Sequence, residues 1–217
     1  MHIVIVGGGA ALAQPLIRHF LLVDATHQLT VVCRTTLPEE PWSTRMTVVK
    51  DLGQVPRGID VLITMVGSTN DAALRSMTDS QWVEVVNSTL AVPACALRRL
   101  LPRLKEGGNI VVVGSIVGST GGFGCANYAA AKAGLLGLVR AAANEEAYRN
   151  VCINLLELGY VDAGMGARLD MKLRAKIEPT IPLKRFGTVA DFVGAVDYLA
   201  KVRYMSGNVL TLAGGLR

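Results

Sequence analysis

Residues 1–23 read MHIVIVGGGAALAQPLIRHFLLV. The run from Ile3 to Val6 is apolar and β-branched with no polar alternation, as in a strand buried on both faces of a parallel sheet. Gly7, Gly8 and Gly9 end it, and over 12–22 apolar residues return at helical spacing. Strand, glycine turn and helix open a dinucleotide-binding unit. The glycines let the backbone approach a pyrophosphate, and the helix N-terminus supplies N–H donors and positive dipole. Ala11 and Ala13 stand where further glycines often occur, and both are small enough for close helix packing. The pattern GxGxxG is met only loosely, and a plain tight turn is the competing reading.

The same alternation continues outward from this stretch. Strands are predicted over 2–6, 29–33, 47–49, 60–66, 109–114, 151–157 and 208–212, and helices over 12–22, 79–104, 127–149 and 189–201. This order predicts an α/β fold: a three-layer, doubly wound Rossmann fold with a parallel sheet of about seven strands and helices on both faces. Pro38 and Pro41 disfavour a helix over 34–45, and Gly53, Pro56 and Gly58 leave room for little more than a turn over 50–59. No linker or composition shift marks a second domain, so 1–217 is expected to be one unit.

Composition narrows the function. Hydrophobic residues make up 51% of 217, enough for one sizeable core and too many for a disordered chain. The 23 glycines follow no fixed period, which removes collagen-like and repeat architectures. No run of about 18 apolar residues occurs, so no membrane span is predicted. The chain carries a net charge of +5, but aromatic residues are only 5% and scattered, which argues against a nucleic-acid partner. Cys33, Cys95, Cys125 and Cys152 stand far apart and only three histidines exist, so no metal site is predicted. Free thiols and a cytoplasmic location are the expectation.

The second predicted strand ends in Cys33-Arg34-Thr35-Thr36. An NAD-preferring fold usually places an acid there for the ribose 2′-hydroxyl. Arg34 instead suits a 2′-phosphate, as a planar multi-donor cation, so NADP(H) is favoured over NAD(H). A solvated loop arginine is the alternative.

The most informative stretch is GNIVVVGSIVGSTGGFGCANYAAAKAGLLGL, residues 108–138. Ser115 ends an apolar strand. Tyr128 and Lys132 are four apart on an alanine-rich helix and share a face. An ammonium beside a phenol favours the phenolate, and a lowered pKa lets the phenol exchange a proton with a carbinol oxygen. A chance pair on a helix surface is the alternative reading.

At this point the chain resembles the short-chain dehydrogenase/reductase family. Ser115 precedes the YxxxK motif by the family's spacing. Asn87, in WVEVVNSTLAV, resembles its catalytic asparagine. LGYVDAGM (158–165), IPLKRFGTVADFVGAVDYLA (181–200) and MSGNVLTLAGG (205–215) resemble its later blocks. The resemblance covers essentially the whole chain. It implies a catalytic set of Asn87, Ser115, Tyr128 and Lys132. Ser115 would hold a carbonyl oxygen, Tyr128 would transfer its proton, Lys132 would tune Tyr128 and hold the nicotinamide ribose, and Asn87 would position a water. It implies a cofactor lying along Gly7, Gly9, Ala11, Leu12, Arg34, Thr35, Asp51, Leu52, Val66, Gly67, Tyr128, Lys132 and Val161.

The implied activity is an NADP(H)-dependent carbonyl reductase or alcohol dehydrogenase acting on a small organic substrate. The implied assembly is a homodimer or homotetramer. Several blocks depart from the family pattern. TGxxxGxG is GGGAALA, NNAG is TMVG (64–67), the loop proline is Leu158, and VDGG is LAGG with Ala213 for the aspartate. These departures keep two other readings open: a non-redox isomerase, dehydratase or cyclase on the same site, and a nucleotide-sensing protein without catalysis. A substrate lid is expected over 162–180, where Arg168, Lys172, Arg174 and Lys176 face Asp170 and Glu178. A basic lid would attract an acidic or carrier-bound substrate, and a solvated helix face is the simpler alternative.

Overall fold

In a computed structural model, which describes residues 1–34 and 44–217, seven strands form one parallel sheet. They are β1 (His2–Val6), β2 (Gln28–Val32), β3 (Met46–Val49), β4 (Ile59–Thr64), β5 (Leu104–Val113), β6 (Cys152–Leu158) and β7 (Val209–Leu212), in the order β3-β2-β1-β4-β5-β6-β7. The helices are α1 (Ala13–Val23), α2 (Asp79–Val86), α3 (Val92–Leu100), α4 (Val117–Thr120), α5 (Ala126–Glu146), α6 (Met171–Ile177) and α7 (Val189–Lys201). The expected doubly wound fold is therefore present.

Each sheet face has its own apolar layer. Ile3, Ile5 and Ile63 pack with Leu16 and Phe20 of α1 and with Phe192 and Val196 of α7. Val4, Leu62 and Val112 pack on the other side with Leu97 and Leu100 of α3 and with Leu135 and Val139 of α5. Strands covered on both faces need no polar alternation, which explains their unbroken β-branched runs. From β1 the chain moves to β2 and β3 on one side, then returns to β4 on the other. The strand order thus reverses between β1 and β4, and the cleft beyond their carboxyl ends is where this fold binds ligands.

Most expected elements lie within a few residues of their observed bounds, and α7 matches. The predicted helix over 79–104 is present as an unbroken helical run from Asp79 to Arg103, made of α2, a π turn at Asn87–Ala91, α3 and a 3-10 turn at Leu101–Arg103. Pro93 gives the reason for the π turn: it has no N–H for the carbonyl of Thr89, and in a straight helix its ring would clash there. The chain inserts a residue instead, and Val92 N–H bonds Asn87 C=O five residues back. The thin connection after β3 holds a single 3-10 turn, Leu52–Gln54, capped by Asp51.

One buried polar residue locks the layers together. Asn109 on β5 is fully buried and donates to Leu199 O and Val202 O, each at 2.8 Å, at the end of α7. Its Oδ1 accepts from Arg203 Nη1 at 2.7 Å. Asn109→Leu orphans both carbonyls and is expected to destabilise the fold by on the order of 3 kcal/mol, read from denaturant midpoints. A loss below half that would mean α7 does not depend on this tie.

Candidate active site

Two clefts adjoin beyond the β1–β4 reversal and share Gly9, Ala10, Met65, Val66 and Gly67. Their volumes are about 410 and 450 Å³. The first is lined by Ala11, Leu12, Ser115, Tyr128, Lys132, Val161 and the start of the 162–180 segment. The second is lined by Gly7, Arg34, Lys50, Asp51, Leu52 and Arg99. Every cofactor residue expected from the sequence therefore stands on one wall or the other, save Thr35, which lies outside the described residues.

The turn between β1 and α1 fits a dinucleotide. Gly7 has φ +103°, and a Cβ there would stand 3.0 Å from Met65 O. Only glycine accepts both the dihedral and the approach. Leu12, at the N-cap of α1, offers no capping side chain, but Ala13 N–H is taken up by Ala10 O at 2.8 Å and Pro15 has no N–H, so Gln14 is the first-turn residue whose N–H can face an anion. Gly7 N and Gly8 N are taken up by Val32 O. In the second cleft, Asp51 Oδ1 is committed to Gly53 N–H at 2.6 Å, while Oδ2 stands 4.0 Å from Arg99 Nη1. Oδ2 is the oxygen left for a ligand.

Ser115, Tyr128 and Lys132 converge in the first cleft. β5 delivers Ser115 just past its end, and α5 carries the other two on its buried face. The Ser115 hydroxyl stands beside the phenol of Tyr128 and favours its ionised form. Ser115 Oγ also accepts from Val117 N–H at 3.3 Å. Lys132 Nζ lies 5.6 Å from the Tyr128 ring centroid and donates to Val113 O at 2.9 Å. Gly118 lets α4 lie directly on α5, since a Cβ there would meet Ala133 N at 2.9 Å.

The electrostatics differ from the expected acidified phenol. Burial pushes Tyr128 up to about 12, against a smaller pull from the Ser115 hydroxyl. Burial also pushes Lys132 down to about 8. The ammonium sits over the ring with a proton spent on Val113 O, which leaves desolvation as the larger effect on the phenol.

Asn87 requires correction. It is exposed and lines neither cleft. Two residues on, Thr89 is fully buried and points inward. Its Oγ1 donates to Ser68 O at 3.1 Å and accepts Ser68 N–H at 3.2 Å, beside Gly67. Two residues turn a helix by roughly 200°, so both cannot face the cleft. Val85 was the available signal, because it lies four residues before Thr89 and shares its buried face.

Two further residues escaped the sequence reading. Asn127 is fully buried, donates to Asn70 O and Gln81 O at 3.1 Å each, and accepts Tyr128 N–H at 2.8 Å. It fixes the start of α5, and hence Tyr128, against the 70–81 segment. Glu157 on β6 is buried and accepts from Ser119 Oγ and from Thr211 Oγ1, anchoring α4. The adjacent ANY triplet and the lone acid in an apolar strand were the only hints.

The 162–180 segment lines the first cleft with residues between Ala163 and Leu169, and α6 follows them. Arg174 joins Asp162 at 2.7 Å and lies 4.5 Å over the Phe186 ring. The guanidinium holds the Asp162 carboxyl below its ordinary range. Arg168 lines the cleft and, among the described residues, forms no ion pair.

Comparison with known proteins places these features in context. The family model described as enoyl-(acyl carrier protein) reductase matches residues 43–217. The glycine turn and Arg34 precede that match. An acetoacetyl-CoA reductase of Acinetobacter sp. (strain RA3849) is 35% identical over 162 residues, covering 73% of this chain and 65% of the relative. The 3-oxoacyl-(acyl-carrier-protein) reductase MabA of Mycobacterium avium is 36% identical over 162 residues, covering 73% and 64%. The chain thus matches a little under two thirds of the length of these relatives. The crystal structure of a short chain dehydrogenase family protein from Francisella tularensis superposes with a TM-score of 0.88 over 99% of this chain and 97% of that one, at 16% identity. Among the described residues no helix is long and apolar enough to cross a membrane.

Proposed function

Because the chain belongs to the short-chain dehydrogenase/reductase family, we propose that it reduces a carbonyl with NADPH, using Ser115, Tyr128 and Lys132. One observation carries this reading: a buried tyrosine stands with Ser115 and Lys132 on the wall of the first of two adjoining clefts at the β1–β4 reversal. The named relatives suggest the substrate class, a 3-oxoacyl thioester on coenzyme A or a carrier protein. An unpaired Arg168 at the cleft wall suits the negative charge such carriers bear.

When bound, the nicotinamide supplies the electron pair. The residues of the chain handle orientation and the proton. Ser115 Oγ holds the carbonyl oxygen. Tyr128 Oη donates its proton to that oxygen as negative charge develops there. A phenol held near 12 stays protonated at neutral pH, yet it is far more acidic than an alcohol. That ordering favours the reductive direction. Lys132 supplies positive charge beside Tyr128 and a donor for ribose hydroxyls. Arg34 and Lys50 would take the 2′-phosphate in the second cleft. Pairing of two or four copies through the outer face of α5 would complete the reading. Ala130, Ala133, Gly137 and Ala141 are exposed there and allow close approach.

The test is NADPH consumption with acetoacetyl-CoA, followed by absorbance. Stoichiometric oxidation is expected, and none across a panel of 3-oxo thioesters would refute the reading. Arg34→Ala is expected to weaken NADPH binding about tenfold, a modest figure because the side chain is exposed, and to leave NADH binding unchanged. Equal losses for both cofactors, measured by fluorescence titration, would remove Arg34 from the phosphate site.

A further inference from the structure

Two loops flank the site, and each brings one charge. β5 carries Ser115 just past its end, and its neighbours in the sheet are β4 and β6. The loop after β6 places Arg168 on the wall of the first cleft. The loop after β4, residues 65–73, carries Asp71. Two contacts pin that loop to the start of α5. Ala72 N–H donates to Gly124 O at 2.8 Å, and Asn127 Nδ2 donates to Asn70 O at 3.1 Å. Asp71 lies between the two pinned residues, and Asn127 immediately precedes Tyr128. The acid therefore stands at the rim beside Tyr128.

Its charge is not cancelled there. Asp71 is exposed and, among the described residues, forms no ion pair. Glu84, bonded to Asn70 Nδ2 at 2.8 Å, has the same sign. Arg75 is exposed in the following Leu74–Ser76 turn and is not joined to it. Burial is the main reason the Tyr128 phenol and the Cys125 thiol stand high, and the Asp71 charge adds to both. The rim also has room. Gly121 and Gly124 have φ +70° and +80°, and a Cβ on either would meet nothing within 4 Å.

A 3-oxo group held between Ser115 and Tyr128 leaves the thioester on one side and the acyl tail on the other. The thioester leads to a phosphate-bearing carrier arm, which Arg168 attracts. The tail then emerges past Gly124, in the field of Asp71. A neutral alkyl end is indifferent to that field, and a carboxylate is repelled. We propose that Asp71 and Arg168 fix the direction of the substrate, and that Asp71 selects against 3-oxoacyl thioesters whose far end carries a carboxylate. The proposal rests on the reductase reading and adds to it the orientation and the acyl terminus. Asp71 touches no reacting atom. It acts through charge at an exposed rim, so its effect is modest and fades with salt, the screening length being about 10 Å at 0.1 M ionic strength.

The test compares two coenzyme A thioesters of equal chain length, 3-oxohexanoyl-CoA and 3-oxoadipyl-CoA, the second ending in a carboxylate. The ratio of kcat/KM, adipyl over hexanoyl, is measured at low salt and at about 0.5 M salt. Any effect of Asp71 on Tyr128 is shared by both substrates and cancels in the ratio. Asp71→Asn is expected to raise the ratio about fivefold at low salt, and Asp71→Lys about twentyfold. High salt is expected to bring the ratios of the three proteins together. Arg168→Gln is expected to lower kcat/KM for both thioesters alike and to keep their ratio within about twofold, because it faces the shared carrier arm. An unchanged ratio in both Asp71 variants would overturn the proposal. So would a ratio that falls in Arg168→Gln, since the carboxylate end would then lie beside Arg168. A rise that persists undiminished in salt would also overturn it, because shape and not charge would be at work. If neither thioester is reduced, the reductase reading fails. The same ratio taken from dissociation constants, by titration calorimetry with NADP present, then decides the role of Asp71, and absence of binding by both thioesters overturns it.

Discussion

Tyr128→Phe is expected to lower carbonyl reduction by roughly 10²–10⁴-fold while leaving NADPH affinity almost unchanged. The substitution removes one oxygen from a site that is otherwise packed. The ring still fills the space under Lys132, so the cleft walls stay in place. What disappears is the proton donor facing the substrate oxygen beside Ser115. Steady-state kinetics on a 3-oxo thioester, paired with cofactor titration, separates the two effects. Loss of cofactor binding alongside turnover would mean that Tyr128 holds the ligand rather than the proton. A rate within a few fold of wild type would remove the residue from the chemistry altogether.

Raising the pH from 8 toward 10 is expected to stabilise the protein relative to Lys132→Met. Folding pushes Lys132 down to about 8, from 10.5 in a free side chain, because burial disfavours its charge. Between those two values the unfolded chain still binds the proton that the native protein has released. Stability therefore rises with pH across that window, and the full span is worth on the order of 3 kcal/mol. Tyr128 acts in the opposite sense at higher pH. Its phenol is held near 12 against 10 in a free side chain, so the unfolded chain ionises first and stability falls above pH 10. Urea midpoints for both proteins at pH 7.5 and 9.5 isolate the lysine contribution, since every other group is shared. Parallel shifts in wild type and variant would show that the Lys132 ammonium is well solvated in the native state.

The chemistry of the site was legible wherever local sequence governs it. Tyr128 and Lys132 share a face because helical spacing demands it, and Ser115 follows a strand that any parallel sheet must bury. Asn87 shows where that reasoning stops. It sits in a stretch that matches helical spacing, but which face of that stretch is buried was not read. Thr89 lies four residues after the buried Val85 and shares its inward face, while Asn87 faces out. The acidified phenol was equally out of reach. An ammonium one turn away argues for a lower pKa, yet the balance between that cation and desolvation depends on how deeply the sheet and α4 cover the ring. Glu157 and Asn127 gain partners only from segments distant in the chain.

The sequence by itself determined the doubly wound sheet, the glycine turn, and the residue types that meet at the end of β5 and on α5. Unbroken apolar strands, turn glycines and helical periodicity are properties of neighbours in the chain, and they act before any tertiary contact forms. Only the tertiary structure decided which residues of the 87–91 turn are buried, which carbonyl Lys132 bonds, and which way burial moves the tyrosine and the lysine. Rotation about a helix axis and exclusion of water are set by what packs against a side chain, and that is not encoded within a few residues of it.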